Sequence, residues 1–278
     1  MRTTTRAGRM CLVTGEAVID VERASAGRFP ADPLTVFEEW EAFRAWAAEL
    51  EPGGVQAPVG PDGGVSPAPR QVFAIGLNYR DHADEAGLAL PESPSVFTKF
   101  ATALTGPNTQ LRLPGDRVDW EAELVVVMGR RAEHVAAGDA WSYVAGLTVG
   151  QDYSERGVQS VGPVPQFSLG KSFPGFAPTG PVLVTPDEFA DPDDLAIECL
   201  VNGESVQKSR TSSMIFSVPE LIARLSAVCP LLPGDLIFTG TPSGVGHART
   251  PQRYLRPGDE VVTRIEDIGQ LRQTCVAS

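Results

Sequence analysis

Apolar and polar residues alternate in short blocks along most of the chain, and only two stretches repeat at helical spacing. Apolar runs at 10–13 and 17–21 flank Thr14-Gly15-Glu16 and predict a hairpin. Over 33–50 the positions Leu34, Phe37, Trp40, Phe43, Trp46 and Ala47 recur every three or four residues, which predicts an amphipathic helix. Residues 51–69, rich in Pro and Gly, read as a linker. Strands are expected at 71–77, 118–128, 182–185, 195–202, 236–239 and 260–265, a helical turn at 139–144 and a second amphipathic helix at 218–229. Pro233-Gly234-Asp235 and Pro257-Gly258-Asp259 each turn into an apolar run, the pattern of β meanders. The expected class is β-rich α+β, with a small N-terminal hairpin-helix domain and linker at 1–69 and the main domain at 70–278. The N-terminal piece is too small to bury much alone and should dock on the rest.

One strand carries charge where charge is costly. Within 118–128 a period of two puts Glu121 and Glu123 on one face and Trp120, Ala122 and Leu124 on the other. Two carboxylates at the edge of a core repel each other and lose hydration unless a cation, basic partners or a raised pKa relieves them. Their oxygens suit Mg²⁺, Mn²⁺ or Ca²⁺. Asp152, just after the next apolar stretch, is a third candidate ligand, and Arg156 a candidate clamp for a substrate carboxylate. His82 and Glu85 stand at i and i+3 after a strand, so the acid can orient the imidazole as a general base. Lys171, flanked by apolar and small residues, is placed to stabilise a developing enolate.

A net charge of −12 and a pI near 4.7 argue against nucleic acid and anionic membrane surfaces as partners. Basic groups are scarce: the lysines are Lys99, Lys171 and Lys208, the histidines His82, His134 and His247. Four dispersed cysteines without a C-x-x-C pair, no leader pattern and no membrane-length apolar run lead us to expect a cytoplasmic protein. The glycine-rich stretch 240–246 lacks both the phosphate-loop ending and the dinucleotide spacing, and no G-x-S-x-G or H-E-x-x-H occurs.

Taken in order, seven motifs over about 70–265 resemble the fumarylacetoacetate hydrolase family, and its acylpyruvase and oxaloacetate decarboxylase branch in particular. They are Gly76-Leu77-Asn78-Tyr79 with His82 and Glu85; Phe97-Thr98-Lys99; Asp119-Trp120-Glu121-Ala122-Glu123; Asp152 with Arg156; Lys171-Ser172-Phe173; Val201-Asn202-Gly203-Glu204; and Pro233-Gly234-Asp235 leading to Thr239-Gly240-Thr241-Pro242. The resemblance implies a mixed β-roll, a homodimer and a divalent ion, Mg²⁺ or Mn²⁺ with Ca²⁺ possible, on Glu121, Glu123 and Asp152. It further implies that His82 and Glu85 sit on a mobile segment that closes over substrate, and that Tyr79, Arg156, Gln159, Thr241 and Lys171 hold a small anionic 2-oxo acid. Pro174 departs from the acid that many relatives carry after Lys-Ser-Phe. The expected reaction is hydrolysis of a C–C bond in a 2,4-dioxo acid through a metal-bound enolate, with water activated by His82 and Glu85. Isomerisation or decarboxylation of a 2-oxo acid, or silent binding of one, is the alternative.

Overall fold

The structure is a computed structural model that describes residues 1–50, 57, 59–85, 87 and 89–278. Its centre is Ala122–Met128, buried at every position, which explains why its sequence is almost continuously apolar. This strand pairs antiparallel with Val144–Gln151 on one side and Leu236–Phe238 on the other. The sheet continues from Leu236–Phe238 through Val72–Gly76, in parallel, to Ser95–Thr98 at its edge. On the far side it runs through Ala177–Val184 to Arg2–Arg6, Arg9–Thr14 and Ala17–Asp20. A five-stranded sheet packs beside it in the order Glu204–Arg210, Ala196–Val201, Glu260–Ile265, Gly269–Ala277 and Asn108–Leu113. These sheets make the strand-rich mixed fold that the sequence predicts.

The connections are less local than meanders. Leu236–Phe238 and Gly269–Ala277 each take a parallel neighbour from far upstream, Val72–Gly76 and Asn108–Leu113. The predicted hairpin forms, with Thr14 opposite Ala17, and a strand before it, Arg2–Arg6, joins it to the main sheet by pairing Thr3 with Leu183. The helix expected over 33–50 is two helices, Pro33–Glu38 and Trp40–Ala48, because Glu39 leaves helical geometry (φ −114°, ψ 29°). Phe37, Trp40, Phe43 and Trp46 still stack along one side, with successive ring centroids 5.1–5.9 Å apart. Of the expected linker, 51–56 and 58 lie outside the described residues, and Asp62–Gly63 pairs with Arg2–Arg6. The second helix, Val218–Ser226, opens on a Ser217–Glu220 capping box and ends three residues earlier than expected. No helix among the described residues is long and apolar enough to cross a membrane.

The N-terminal hairpin has its own ionic anchor. Asp20 is fully buried, accepts the main-chain N–H of Arg23 and receives Nε and Nη2 of Arg9 at 2.6 and 3.0 Å. The Arg9 guanidinium holds the Asp20 carboxyl below the usual range even though burial opposes it. A depressed carboxylate contributes stability above its unfolded pKa of about 4 and loses it as pH falls through the lower folded value. Arg9→Gln should therefore lower stability at pH 7 by about 1–3 kcal/mol. The gap to wild type should narrow in urea melts as pH drops below about 4; a gap constant from pH 7 to pH 3 would contradict the pairing.

Candidate active site

The chain breaks its strand at the point where the acids begin. Val118–Asp119 pairs with Ser154–Glu155 in a separate two-stranded ladder, and the main strand resumes at Ala122. Trp120 and Glu121 span the break, where the Glu121 N–H donates to Gln151 Oε1 and its carbonyl accepts from the Asp152 N–H at 2.9 Å. The register Ala122↔Gln151 and Glu123↔Gly150 then sets Asp152 beside the two glutamates. One oxygen of each of Glu121, Glu123 and Asp152 lies within 4.8 Å of the others, and all three residues are buried.

Three buried cations answer these acids. Lys171 Nζ bridges Glu121 Oε2 and Asp152 Oδ2, both at 2.6 Å. Lys99 Nζ binds the other Asp152 oxygen and the carbonyl of Lys171. Arg156 lays Nε and Nη2 on Asp119 Oδ2 at 2.9 and 2.6 Å, reaches Glu121 Oε1 with Nη2 at 2.7 Å, and donates from Nη1 to Gln159 Oε1 at 2.9 Å. Its fork is spent on the protein's own acids. Arg156 is therefore no open bidentate clamp of the kind expected from sequence; one Nη1 hydrogen remains. Lys171 ends the helix Phe167–Gly170, and Gly170 is what lets it approach, since a Cβ there would lie 2.6 Å from the Gln159 main-chain nitrogen.

Glu123 has no cation of its own among the described residues. It accepts the N–H of Gly240, whose φ of +100° aims that N–H inward. Burial, then the charges of Asp152 and Glu121, push its pKa well above the ordinary value. Glu121 also pays for burial, but Lys171 and Arg156 outweigh it and hold its pKa at about 2. Burial likewise disfavours the charge on Lys171, yet Asp152 and Glu121 raise its pKa. Lys99 goes down, because burial and the neighbouring Lys171 exceed the pull of Asp152. Four acids, Asp119 included, thus face three cations, and the unpaired one is an oxygen donor beside two others. That donor set fits a divalent cation, which would share the carboxylates now bridged by Lys171 and draw Glu123 into its charged form.

A cavity of about 310 Å³ opens onto this cluster, lined by Glu121, Lys171, Arg156, Gln159, Thr241 and His82 among others. The helix Arg80–Glu85 presents His82, whose Nδ1 lies 3.3 Å from Glu85 Oε2. Glu85 also accepts the N–H of Gly244 at 3.1 Å, and Asp81 accepts the Ser243 hydroxyl at 3.0 Å, so two acids tie this helix to the 240–246 loop. Ala86, in the segment 80–87 expected to move, lies outside the described residues. Thr241 Oγ1 donates to the Ala122 carbonyl and accepts from Gln207, which fixes it in the wall. Tyr79 does not line the cavity: it is fully buried and its hydroxyl has no hydrogen-bond partner, so it supports the site from behind.

Sequence reasoning missed Lys99, Asp119 and His247 as site residues. Lys99 carried a signal, being one of three lysines and set between Phe97 and Phe100. Asp119 shares the parity of Glu121 and Glu123. Lys99→Met should cost about 1–3 kcal/mol, because one Asp152 oxygen and the Lys171 carbonyl would lose a buried donor while Lys171 still holds the other Asp152 oxygen. Urea denaturation checks this; a cost under about 1 kcal/mol would mean that the pair is not desolvated as drawn.

Residues 71–276 match the family model described as fumarylacetoacetate (FAA) hydrolase, C-terminal. The mitochondrial oxaloacetate tautomerase Fahd2a of Rattus norvegicus is 46% identical over 203 residues, 72% of this chain and 64% of that protein. Its human counterpart FAHD2A is likewise 46% identical, over 72% of this chain and 65% of its own. The chain spans just under two thirds of the length of these curated relatives. Among solved structures, a candidate HpcE protein from Mycobacterium smegmatis superposes with a TM-score of 0.97 at 53% identity over the full length of both chains. The fumarylacetoacetate hydrolase of Exiguobacterium antarcticum, also matched over both full chains, gives 0.86 at 29%. Maleylpyruvate hydrolase from Sphingobium, in complex with manganese(II) and pyruvate, gives 0.84 at 28%, again over the full length of both chains. With a family match over most of its length and relatives of this similarity, the chain belongs to the fumarylacetoacetate hydrolase family.

Proposed function

We propose that this enzyme interconverts the enol and keto forms of a short 2-oxo acid of the oxaloacetate type, using Mg²⁺ or Mn²⁺. The observation that carries this reading is the His82 imidazole, steered by Glu85, in the same cavity as a buried cluster of acids and cations. The names of the rat and human relatives favour tautomerisation over the C–C hydrolysis expected from sequence. So does the 35% identical 2-hydroxyhepta-2,4-diene-1,7-dioate isomerase of Mycobacterium marinum.

A divalent ion on Glu121, Glu123 and Asp152 would act as a Lewis acid, favouring negative charge on the substrate's 2-oxo oxygen. The protein's own groups do the rest. His82, with Nδ1 held towards Glu85, uses Nε2 to take a proton from C3 of the keto acid, and the electron pair of that C–H bond moves into the C2–C3 bond. The carbonyl π pair goes to the C2 oxygen, which takes up the proton now carried by His82 to give the enol and restore the neutral imidazole. The reverse sequence returns the proton to C3. Lys171 places an ammonium beside the same cluster, and Phe97 and Phe167 close one wall and limit water. No C–C bond breaks and no water is added. We also propose a homodimer and a cytoplasmic location, although the rat and human relatives are named as mitochondrial.

The test is a substrate panel with Mg²⁺ or Mn²⁺: enolic oxaloacetate and a set of acylpyruvates, following enol or diketone absorbance together with pyruvate release. The proposal expects accelerated loss of the oxaloacetate enol without matching pyruvate. Acylpyruvate cleavage faster than enol loss would restore the hydrolase reading, in which His82 activates water instead.

A further inference from the structure

The cavity contains a second histidine that the reaction above does not use. His247 sits in the short turn Gly246–Ala248 and lines the same space as His82 and Arg156. The turn is pinned from beneath by Asp119, which accepts the N–H of Gly246 on Oδ1 at 2.7 Å and the N–H of His247 on Oδ2 at 2.9 Å. That same carboxylate receives Nε and Nη2 of Arg156. One buried acid therefore fixes the guanidinium and the turn bearing the imidazole relative to each other.

The neighbours of the ring also set its tautomer. The Gln252 side-chain nitrogen donates to the His247 carbonyl at 3.0 Å, which orients the amide, and lies 3.2 Å from His247 Nδ1. The Tyr254 hydroxyl, 2.8 Å from the same Nδ1, donates to Gln252 Oε1 at 2.9 Å, which fixes the amide so that its second N–H faces Nδ1. With Nδ1 accepting from Gln252, the single proton of a neutral imidazole is on Nε2. Burial, reinforced by Arg156, lowers the His247 pKa and keeps the ring neutral near pH 7. Among the described residues, Nε2 has no hydrogen-bond partner. Two further donors share this cavity: the remaining Nη1 hydrogen of Arg156, and the Gln159 amide nitrogen, which is freed because Gln159 uses its oxygen to accept from Arg156. Phe97 and Phe167, packed edge to face at 5.6 Å, offer a carboxylate nothing.

We propose that His247 Nε2–H, with the Gln159 amide and the last free N–H of Arg156, binds the distal carboxylate of a dicarboxylic 2-oxo acid. His247 thus selects oxaloacetate-type substrates over monocarboxylic ones. The assignment rests on the 2-oxo acid reading above and names which member of that class the cavity favours. A carboxylate gains hydrogen bonds to a charged group from these donors, whereas a methyl in its place would leave them buried and unpaired.

The test compares oxaloacetate with 2-oxobutanoate, the same four-carbon skeleton with a methyl replacing the distal carboxylate. Dissociation constants are measured by calorimetry with Mn²⁺ for wild type, His247→Leu and His247→Gln, with oxalate as a control for the 2-oxo acid end. Wild type should prefer oxaloacetate by about 10- to 100-fold. His247→Leu should lose most of that preference while binding oxalate normally, and His247→Gln, which keeps a donor near Nε2, should recover much of it. Equal binding of the two acids by wild type, or a preference that survives in His247→Leu, overturns the assignment of His247. If oxaloacetate binds with the expected preference but its enol is not turned over, the tautomerase reading fails and the role of His247 stands. Binding of neither acid overturns both.

Discussion

His82→Ala should lower kcat for enolic oxaloacetate by about 10²- to 10⁴-fold, the usual worth of a positioned general base, while leaving Mn²⁺ and oxalate affinity nearly intact. The separation follows from the geometry. His82 reaches the cavity from the helix Arg80–Glu85 and is no part of the carboxylate cluster; the helix is tied to the 240–246 loop by Asp81 and Glu85, which the variant retains. Kinetics with saturating substrate and calorimetry with oxalate check the two halves. If oxalate affinity falls in step with kcat, His82 orders the closed site instead of moving a proton.

Glu123→Gln should lower Mn²⁺ affinity by about 10²-fold or more, yet leave the fold nearly as stable as wild type. Glu121 and Asp152 each hold buried cations, so removing either would strand Lys171, Lys99 or Arg156. Glu123 holds none, and its one hydrogen bond to Gly240 survives in the amide. Its pKa, raised by burial and by its two acidic neighbours, already shows that its charge is costly without a cation. Calorimetric Mn²⁺ titration and thermal melting of the metal-free protein give the two readouts. A variant with unchanged Mn²⁺ affinity would place the ion elsewhere.

These contrasts show what the sequence could and could not carry. Period-two spacing put Glu121 and Glu123 on one face, and helical spacing put Glu85 beside His82; both relations are local, and both appear in the structure. Asp152 could be proposed as a third ligand, but its closeness depends on a register, Glu123 opposite Gly150, that no local pattern sets. The same limit hid Asp119, whose partners Arg156, Gly246 and His247 lie 37 to 128 residues downstream. Arg156 was read as a free clamp because sequence shows a cation and not the two acids that consume it. The fold was legible in class and in about half of the strands, but Val144–Gln151, Glu204–Arg210 and Gly269–Ala277 were not expected, and the parallel partners of Leu236–Phe238 and Gly269–Ala277 are long-range choices. The split at Glu39 has no Pro or Gly to announce it.

In the proposed function this site moves a proton at C3 of a 2-oxo acid without breaking carbon–carbon bonds. The most direct measurement follows oxaloacetate by NMR in D₂O with Mn²⁺-loaded enzyme at low metal excess, or with Mg²⁺, against a protein-free control at the same metal concentration. One spectrum series reports both deuterium entry at C3 and pyruvate formation. A proton-moving site should give enzyme-dependent exchange at C3, abolished in His82→Ala, with pyruvate no faster than in the control. Enzyme-dependent pyruvate without exchange beyond the control would contradict it.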